Sequence, residues 1–332
     1  MYLRRPYICA FILISALTML SGQTYPLYSQ YILNEFIINP AVAGVDGMTS
    51  ISISGKKQWA GFKRAPNTYS ASVSTRILKS PGSPRPSRGM RKLGSKSSGR
   101  VGLGGGFIAD FNGRVNRTTL QMAYTYHLPI RYSQLSMGIA MLGQQLKIDG
   151  SDIELDPGDP VKDYLENPGF LFDAAAGINY STHKYHVGFS VYNLFESTIN
   201  STITSKNNFN YIREQRIYNL IGAYQYKHRR NSDWVFEPSM LVRTIEPFSL
   251  SNVTTDVSVR AIYNREYWGG LSYRTTGDII VLLGLKINKL YLGYSIDYGF
   301  NDLSRTSYGS HEVVMALKLG DSTRRYRWWE RY

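Results

Sequence analysis

Asp152-Ile153-Glu154-Leu155-Asp156 sets carboxylates at alternate positions, and Asp149, Asp159, Asp163 and Glu166 surround them with only Lys162 opposed. Oxygen ligands gathered this way suit a hard cation such as Ca²⁺. The run lacks the ordered pattern of an EF-hand loop, so its plainer reading is a solvated acidic loop. His183 and His186 are spaced to converge on a helix but not on a strand, and the single cysteine, Cys9, is remote from both. Gly102, Gly104, Gly105 and Gly106 invite comparison with a phosphate-binding loop. The G-x-G-x-x-G spacing is not met, and glycines in a strand serve bending or the close approach of a plug. Serines, histidines and acids occur without a G-x-S-x-G elbow to organise them. These patterns assign no catalytic, metal or cofactor-binding residue, and neither enzyme activity nor a cofactor is expected.

Other clusters suit binding. Residues 78–100 hold Lys79, Arg85, Arg88, Arg91, Lys92, Lys96 and Arg100, three prolines and no acid. Such a segment reads as extended, with Arg85, Arg88, Arg91 and Lys92 as an electrostatic dock for an acidic partner. The chain ends on Arg324, Arg325 and Arg327 with Trp328 and Trp329, which add apolar contact area. Near the other end, Tyr28 to Gly44 carries Ile32 and Phe36 at helical spacing, then Asn39-Pro40, which ends a helix. Asn39 caps or turns the backbone, and Ala41, Ala43 and Gly44 permit tight packing. Ile32, Phe36, Asn39 and Pro40 are therefore expected to fix this segment against a wall or a partner.

The elements that position these residues follow from patterning. Met1 to about Gly22 has the charged start, apolar stretch and small-residue exit of a secretory signal peptide. Removing Arg4 and Arg5 with it lowers the net charge from +14 to +12. An exported basic chain points to anionic headgroups or acidic protein surfaces rather than nucleic acid. No apolar run after residue 22 is long enough for a membrane-spanning helix. Instead, Leu290, Leu292, Tyr294, Ile296 and Tyr298 alternate with Tyr291, Gly293, Ser295, Asp297 and Gly299. Leu120, Met122, Tyr124, Tyr126 and Leu128 alternate likewise with Gln121, Ala123, Thr125 and His127. Period two places each set on its own face of a strand.

Residues 47–319 divide into about 14 such segments, among them 211–227, 278–287, 290–299 and 310–319, the number and spacing of a transmembrane antiparallel β-barrel. Tight connections at 129–132, 181–184, 228–232, 265–266 and 288–289 alternate with long ones at 148–169, 194–210 and 246–253. Outer-membrane barrels keep short turns on the periplasmic side. Strand parity therefore places 78–100 and both chain termini in the periplasm and the acidic loop outside. The expected organisation is a signal peptide at 1–22, a periplasmic or plug segment at 23–46, a barrel at 47–319 and a basic-aromatic tail at 320–332.

The segment Ser29-Gln30-Tyr31 through Asn34 to Asn39-Pro40-Ala41-Val42-Ala43-Gly44 resembles the signature of the PorP/SprF family of Bacteroidetes outer-membrane proteins. The resemblance continues in Gln58-Trp59-Ala60-Gly61-Phe62, Ala65-Pro66-Asn67-Thr68, Val101 to Gly105, Arg117-Thr118, Ala123 to His127 and Tyr308 to Val313. It implies an outer-membrane barrel of the type IX secretion and gliding apparatus. The implied role is to help a cognate secreted protein reach or stay on the cell surface. Implied partners are outer-membrane lipid, that secreted protein and periplasmic components of the machinery. The basic loop and the tail after the last strand are longer than the family pattern. The alternative is a passive channel or hydrophobic-solute transporter.

Overall fold

The computed structural model describes residues 26–77, 100–130, 133–149, 169–197, 214–227, 233–245, 252–300 and 307–320. The acidic run, Arg85, Arg88, Arg91, Lys92, Trp328 and Trp329 lie outside the described residues. The strands are β1 (Thr49–Lys57), β2 (Asn67–Ile77), β3 (Val101–Asn112), β4 (Val115–Ile130), β5 (Ser133–Ile148), β6 (Gly169–Thr182) and β7 (Tyr185–Tyr192). They continue as β8 (Ile217–Tyr224), β9 (Trp234–Thr244), β10 (Val253–Tyr263), β11 (Tyr267–Arg274), β12 (Asp278–Ile287), β13 (Leu290–Gly299) and β14 (Ser310–Leu319). Each pairs antiparallel with its neighbours in sequence, and β1 pairs with β14 to close the barrel.

Alternation explains why the sheet closes with this face inward. In β1, Ser52, Ser54 and Lys56 are buried in the lumen while Ile51 and Ile53 face out. In β13, Ser295 and Asp297 point in against Tyr294, Ile296 and Tyr298 outside. Leu120, Met122, Ile139, Met141 and Phe172 extend the outer apolar face over β4 to β6. Closure leaves no sheet edge, and the apolar face meets lipid. No described helix is long and apolar enough to cross a membrane; the strands do so.

Both mouths follow from strand direction. One receives the connections after β1, β3, β5, β7, β9, β11 and β13, and is called here the long-loop mouth. It also carries tight turns at 113–114 and 275–277. The opposite mouth holds the turns at 183–184, 264–266 and 288–289. The barrel's buried apolar cluster lies inside the lumen. Tyr28, Tyr31, Ile32, Phe36, Ile37 and Ile38 pack there against Ile108, Leu142, Tyr192, Ile221 and Leu241 of the wall.

Candidate functional site

The N-terminal segment fills the lumen from one mouth to the other. Arg243, at the long-loop end of β9, donates to the Pro26 carbonyl at 2.8 Å. At the opposite end, Asp46 pairs with Lys318 of β14 at 3.3 Å. Between these points run a 3₁₀ stretch at Tyr31–Ile37 and a 3₁₀ turn at Pro40–Val42. The first is broken at Asn34, whose φ of −132° and ψ of 43° are not helical. Asn34 instead spends its side chain on the wall. Its Nδ2 donates to Ser70 at 3.1 Å, and Ser52 and Ser72 donate to its Oδ1 at 2.9 and 3.0 Å.

Charged wall residues hold the first half. Lys56, 3% exposed, lies 2.6 Å from Asp297 and 3.8 Å from Glu312. The Ser29 and Gln30 amides donate to the two Glu312 oxygens at 2.6 and 3.2 Å. The Ser29 hydroxyl donates to Asp297 at 2.6 Å and accepts from Lys56 at 2.8 Å. Arg274 grips Asp256 with two nitrogens at 2.6 and 3.1 Å and lies 3.6 Å from Asp297. Arg260 pairs with Glu237 on neighbouring strands. Buried charges are tolerable only when paired in this way. Further along, the Tyr31 hydroxyl meets Ser239 and Ser258 at 3.0 and 3.3 Å, and Glu35 lies 3.2 Å from His186.

Shape and backbone contacts hold the second half. Ser190 donates to the Ile38 carbonyl at 2.6 Å, Tyr192 to that of Ile37 at 2.9 Å and Thr125 to that of Pro40 at 2.8 Å. Asn39 Oδ1 caps the second turn by accepting from Ala41 at 2.9 Å, while Nδ2 donates to the Ile178 carbonyl at 3.1 Å. The wall opposite is glycine. A Cβ on Gly138 would lie 2.6 Å from the Ala41 backbone, and one on Gly188 2.7 Å from Asn39. Gly102 and Gly104 similarly face Ala43 and the Phe36 ring. Of the glycines weighed above as a phosphate loop, Gly102, Gly104 and Gly106 thus make room for the segment, while Gly105 faces Val73 on the outer side.

Two cavities beside the segment measure about 40 and 70 Å³. Ligand pockets run to roughly 300–1,000 Å³, so neither is sized for a solute. Of the expected site residues, Ile32 and Phe36 are buried in the lumen cluster, and Asn39 and Pro40 pack on β4, β6 and β7. Sequence reasoning passed over Lys56, Asp297 and Glu312. Their signal was charge at lumen-facing positions of strands whose alternate residues are apolar. His183 is exposed in a turn, whereas His186 points into the lumen, so the pair does not converge.

The described stretch begins and ends at different mouths: Pro26 lies at the long-loop mouth and Gly320 follows β14 at the opposite one. Parity fixes where β1 begins. It does not fix where a preceding segment begins when that segment itself crosses the lumen.

A closed antiparallel barrel with an apolar outer face and a polar, filled lumen is an outer-membrane β-barrel, and that membrane is where this protein resides. Within that class the chain belongs to the family described as type IX secretion system membrane protein PorP/SprF, whose model matches residues 20–317. No curated protein matches it. Among solved structures it is similar to CdiB from Acinetobacter baumannii at 9% identity and a TM-score of 0.40, covering 82% of this chain and 60% of that one. It is similar to the toluene transporter TodX of P. putida at 8% identity and a TM-score of 0.43, covering 85% and 92%. A FadL homologue from Pseudomonas aeruginosa gives 8% identity and a TM-score of 0.41, covering 90% and 94%. These likenesses concern the fold alone.

Proposed function

We propose that this barrel is a docking accessory of type IX secretion, which supports the export or surface attachment of one cognate secreted protein. The observation that carries the reading is the occupied lumen. Residues 26–46 bond to the wall along the whole bore, so the useful surfaces are the mouths and not the interior. On this reading the long-loop mouth faces the medium and meets the client. The opposite mouth, with 78–100 and the tail, faces periplasmic components of the machinery. Arg85, Arg88, Arg91, Lys92, Trp328 and Trp329 are assigned to that periplasmic contact, and Ile32, Phe36, Asn39 and Pro40 to holding the segment that shapes the outer mouth.

A deletion strain tests it. Loss of one protein from the surface, with solute uptake unchanged, supports the docking role. Loss of uptake with normal surface display overturns it in favour of a channel or hydrophobic-solute transporter. Protease added to intact cells should cut at 148–169 or 194–210 and spare 78–100; the reverse pattern inverts the assignment of the mouths.

A further inference from the structure

The outer wall at the long-loop mouth carries cations where a lipid-facing surface would ordinarily be apolar. Lys57 is exposed and continues the outward row of Ile51 and Ile53 on β1, so it is reached from the bilayer and not from the lumen. In register it stands between Asn67 of β2 and His311 of β14. Aromatic rings surround that level. Tyr69 lies across Gly55 and meets Phe111 edge-on at 6.3 Å, and Tyr294 stacks on His311 with centroids 6.2 Å apart. Tyrosine and tryptophan on a barrel's outer face mark the headgroup region.

The loop that follows Lys57 adds to the charge. Gly61, Phe62, Lys63 and Arg64 are all exposed, and residues 57–64 contain no acid. The loop is tied to the wall. The Gln58 amide donates to the Pro66 carbonyl at 2.9 Å, Ala60 to that of Gly309 at 2.8 Å, and Tyr308 to that of Ala60 at 2.8 Å. Trp59 and Arg64 hold φ of 43° and 59°, a left-handed conformation that side-chain-bearing residues avoid unless their surroundings enforce it.

We propose that Lys57, Lys63 and Arg64 bind the phosphate groups of an outer-leaflet glycolipid of the lipid A type, with the surrounding aromatic rings against its acyl chains and sugar. The assignment to the outer leaflet rests on the orientation given under Proposed function. An acidic protein in the medium could reach Lys63 and Arg64. Lys57, on the membrane side of the wall, favours the lipid.

The test uses the full-length mature protein in detergent, probed by native mass spectrometry with lipid A bearing two phosphates and with its dephosphorylated form. The triple variant K57S/K63S/R64S should lose retention of the phosphorylated lipid by about fivefold per cation removed, while its heat-modifiable gel shift stays that of a folded barrel. The charge-preserving K57R/K63R variant should keep it. Equal retention of the phosphorylated and dephosphorylated lipids overturns the proposal. So does displacement of the lipid by an acidic peptide without loss in the triple variant. Orientation is read separately from F62C, since Cys9, the chain's one cysteine, lies in the expected signal peptide. Labelling by an impermeant maleimide on intact cells supports the outer leaflet. Labelling only after permeabilisation overturns that assignment and the orientation together, whatever the lipid measurement gives.

Discussion

The two halves of the lumen segment are held by different physics. Residues 26–36 are fastened by charge and polar side chains: Glu312 on two amides, Asp297 and Lys56 on Ser29, Arg243 on Pro26 and His186 beside Glu35. Apart from the Asp46–Lys318 pair at the far mouth, residues 37–46 are fastened by fit. Their backbone carbonyls accept from Ser190, Tyr192 and Thr125, and wall glycines admit Ala41, Ala43 and Asn39 at backbone distance. The contrast teaches that one half can be loosened by altering charge with little change of volume. The other yields chiefly to a change of volume.

The largest effect should come from removing both halves. Deleting 28–44 removes no strand of the barrel, so a membrane-inserted barrel is expected, with client display abolished and single-channel conductance raised from a closed baseline. Normal display after that deletion would reduce the segment to a dispensable filler. Next in size is Gly138→Val, which drives a branched side chain into the Ala41 backbone. Overpacking typically costs about 1–3 kcal/mol, occasionally more. Since the atoms met here are backbone, the upper end is expected. Conductance should rise through displacement of 37–46, and added salt should not alter the effect.

Lys56→Ala attacks the other half. Breaking a buried pair costs about 3–5 kcal/mol where the remaining charge is stranded. Arg274 stays 3.6 Å from Asp297, so the lower end of that range or less is expected in urea unfolding. A double-mutant cycle with Glu312→Ala should show coupling between the two sites, whereas one with Gly138→Val should be near additive. Strong coupling between Lys56 and Gly138 would break the division into halves. The smallest effect is assigned to Asn39→Ala, which removes a cap and one bond to the Ile178 carbonyl, about 1 kcal/mol in all. Denaturant midpoints resolve a difference of that size.

Much of the barrel was legible in the sequence, and the reasons are local. The segments read at 278–287, 290–299 and 310–319 are the observed β12, β13 and β14. A tight turn joins the first two, and lipid on one side with polar lumen on the other enforces clean alternation. The segment read at 211–227 shortens to Ile217–Tyr224. Glu214 turns back to bond Ser197 and pair with Arg117, and near the other end Tyr226 joins through an isolated bridge to Phe236. Such contacts have no periodic signature. The candidate site was half legible. Ile32 and Phe36 announced an apolar face, and Asn39-Pro40 announced a break. The direction in which the segment crosses the lumen was not available from its own residues. That direction is set by Asp297 and Glu312, more than 260 residues later, and no local pattern reports a partner that distant in sequence.

The register of the closing strands carries a consequence for assembly. Lys56 of β1 stands directly opposite Glu312 of β14, and the amides of Ser29 and Gln30 sit on that same glutamate. The first and last strands therefore meet over the very residues that receive the segment. A barrel already zipped shut would have to admit 26–46 through its bore and then find these partners in a crowded interior. If the segment is instead laid against the half-formed sheet first, the final zippering step brings Lys56, Glu312 and Ser29 together at once. Sealing the wall and corking it then become one event, and the protein need never stand in the membrane as an open hole.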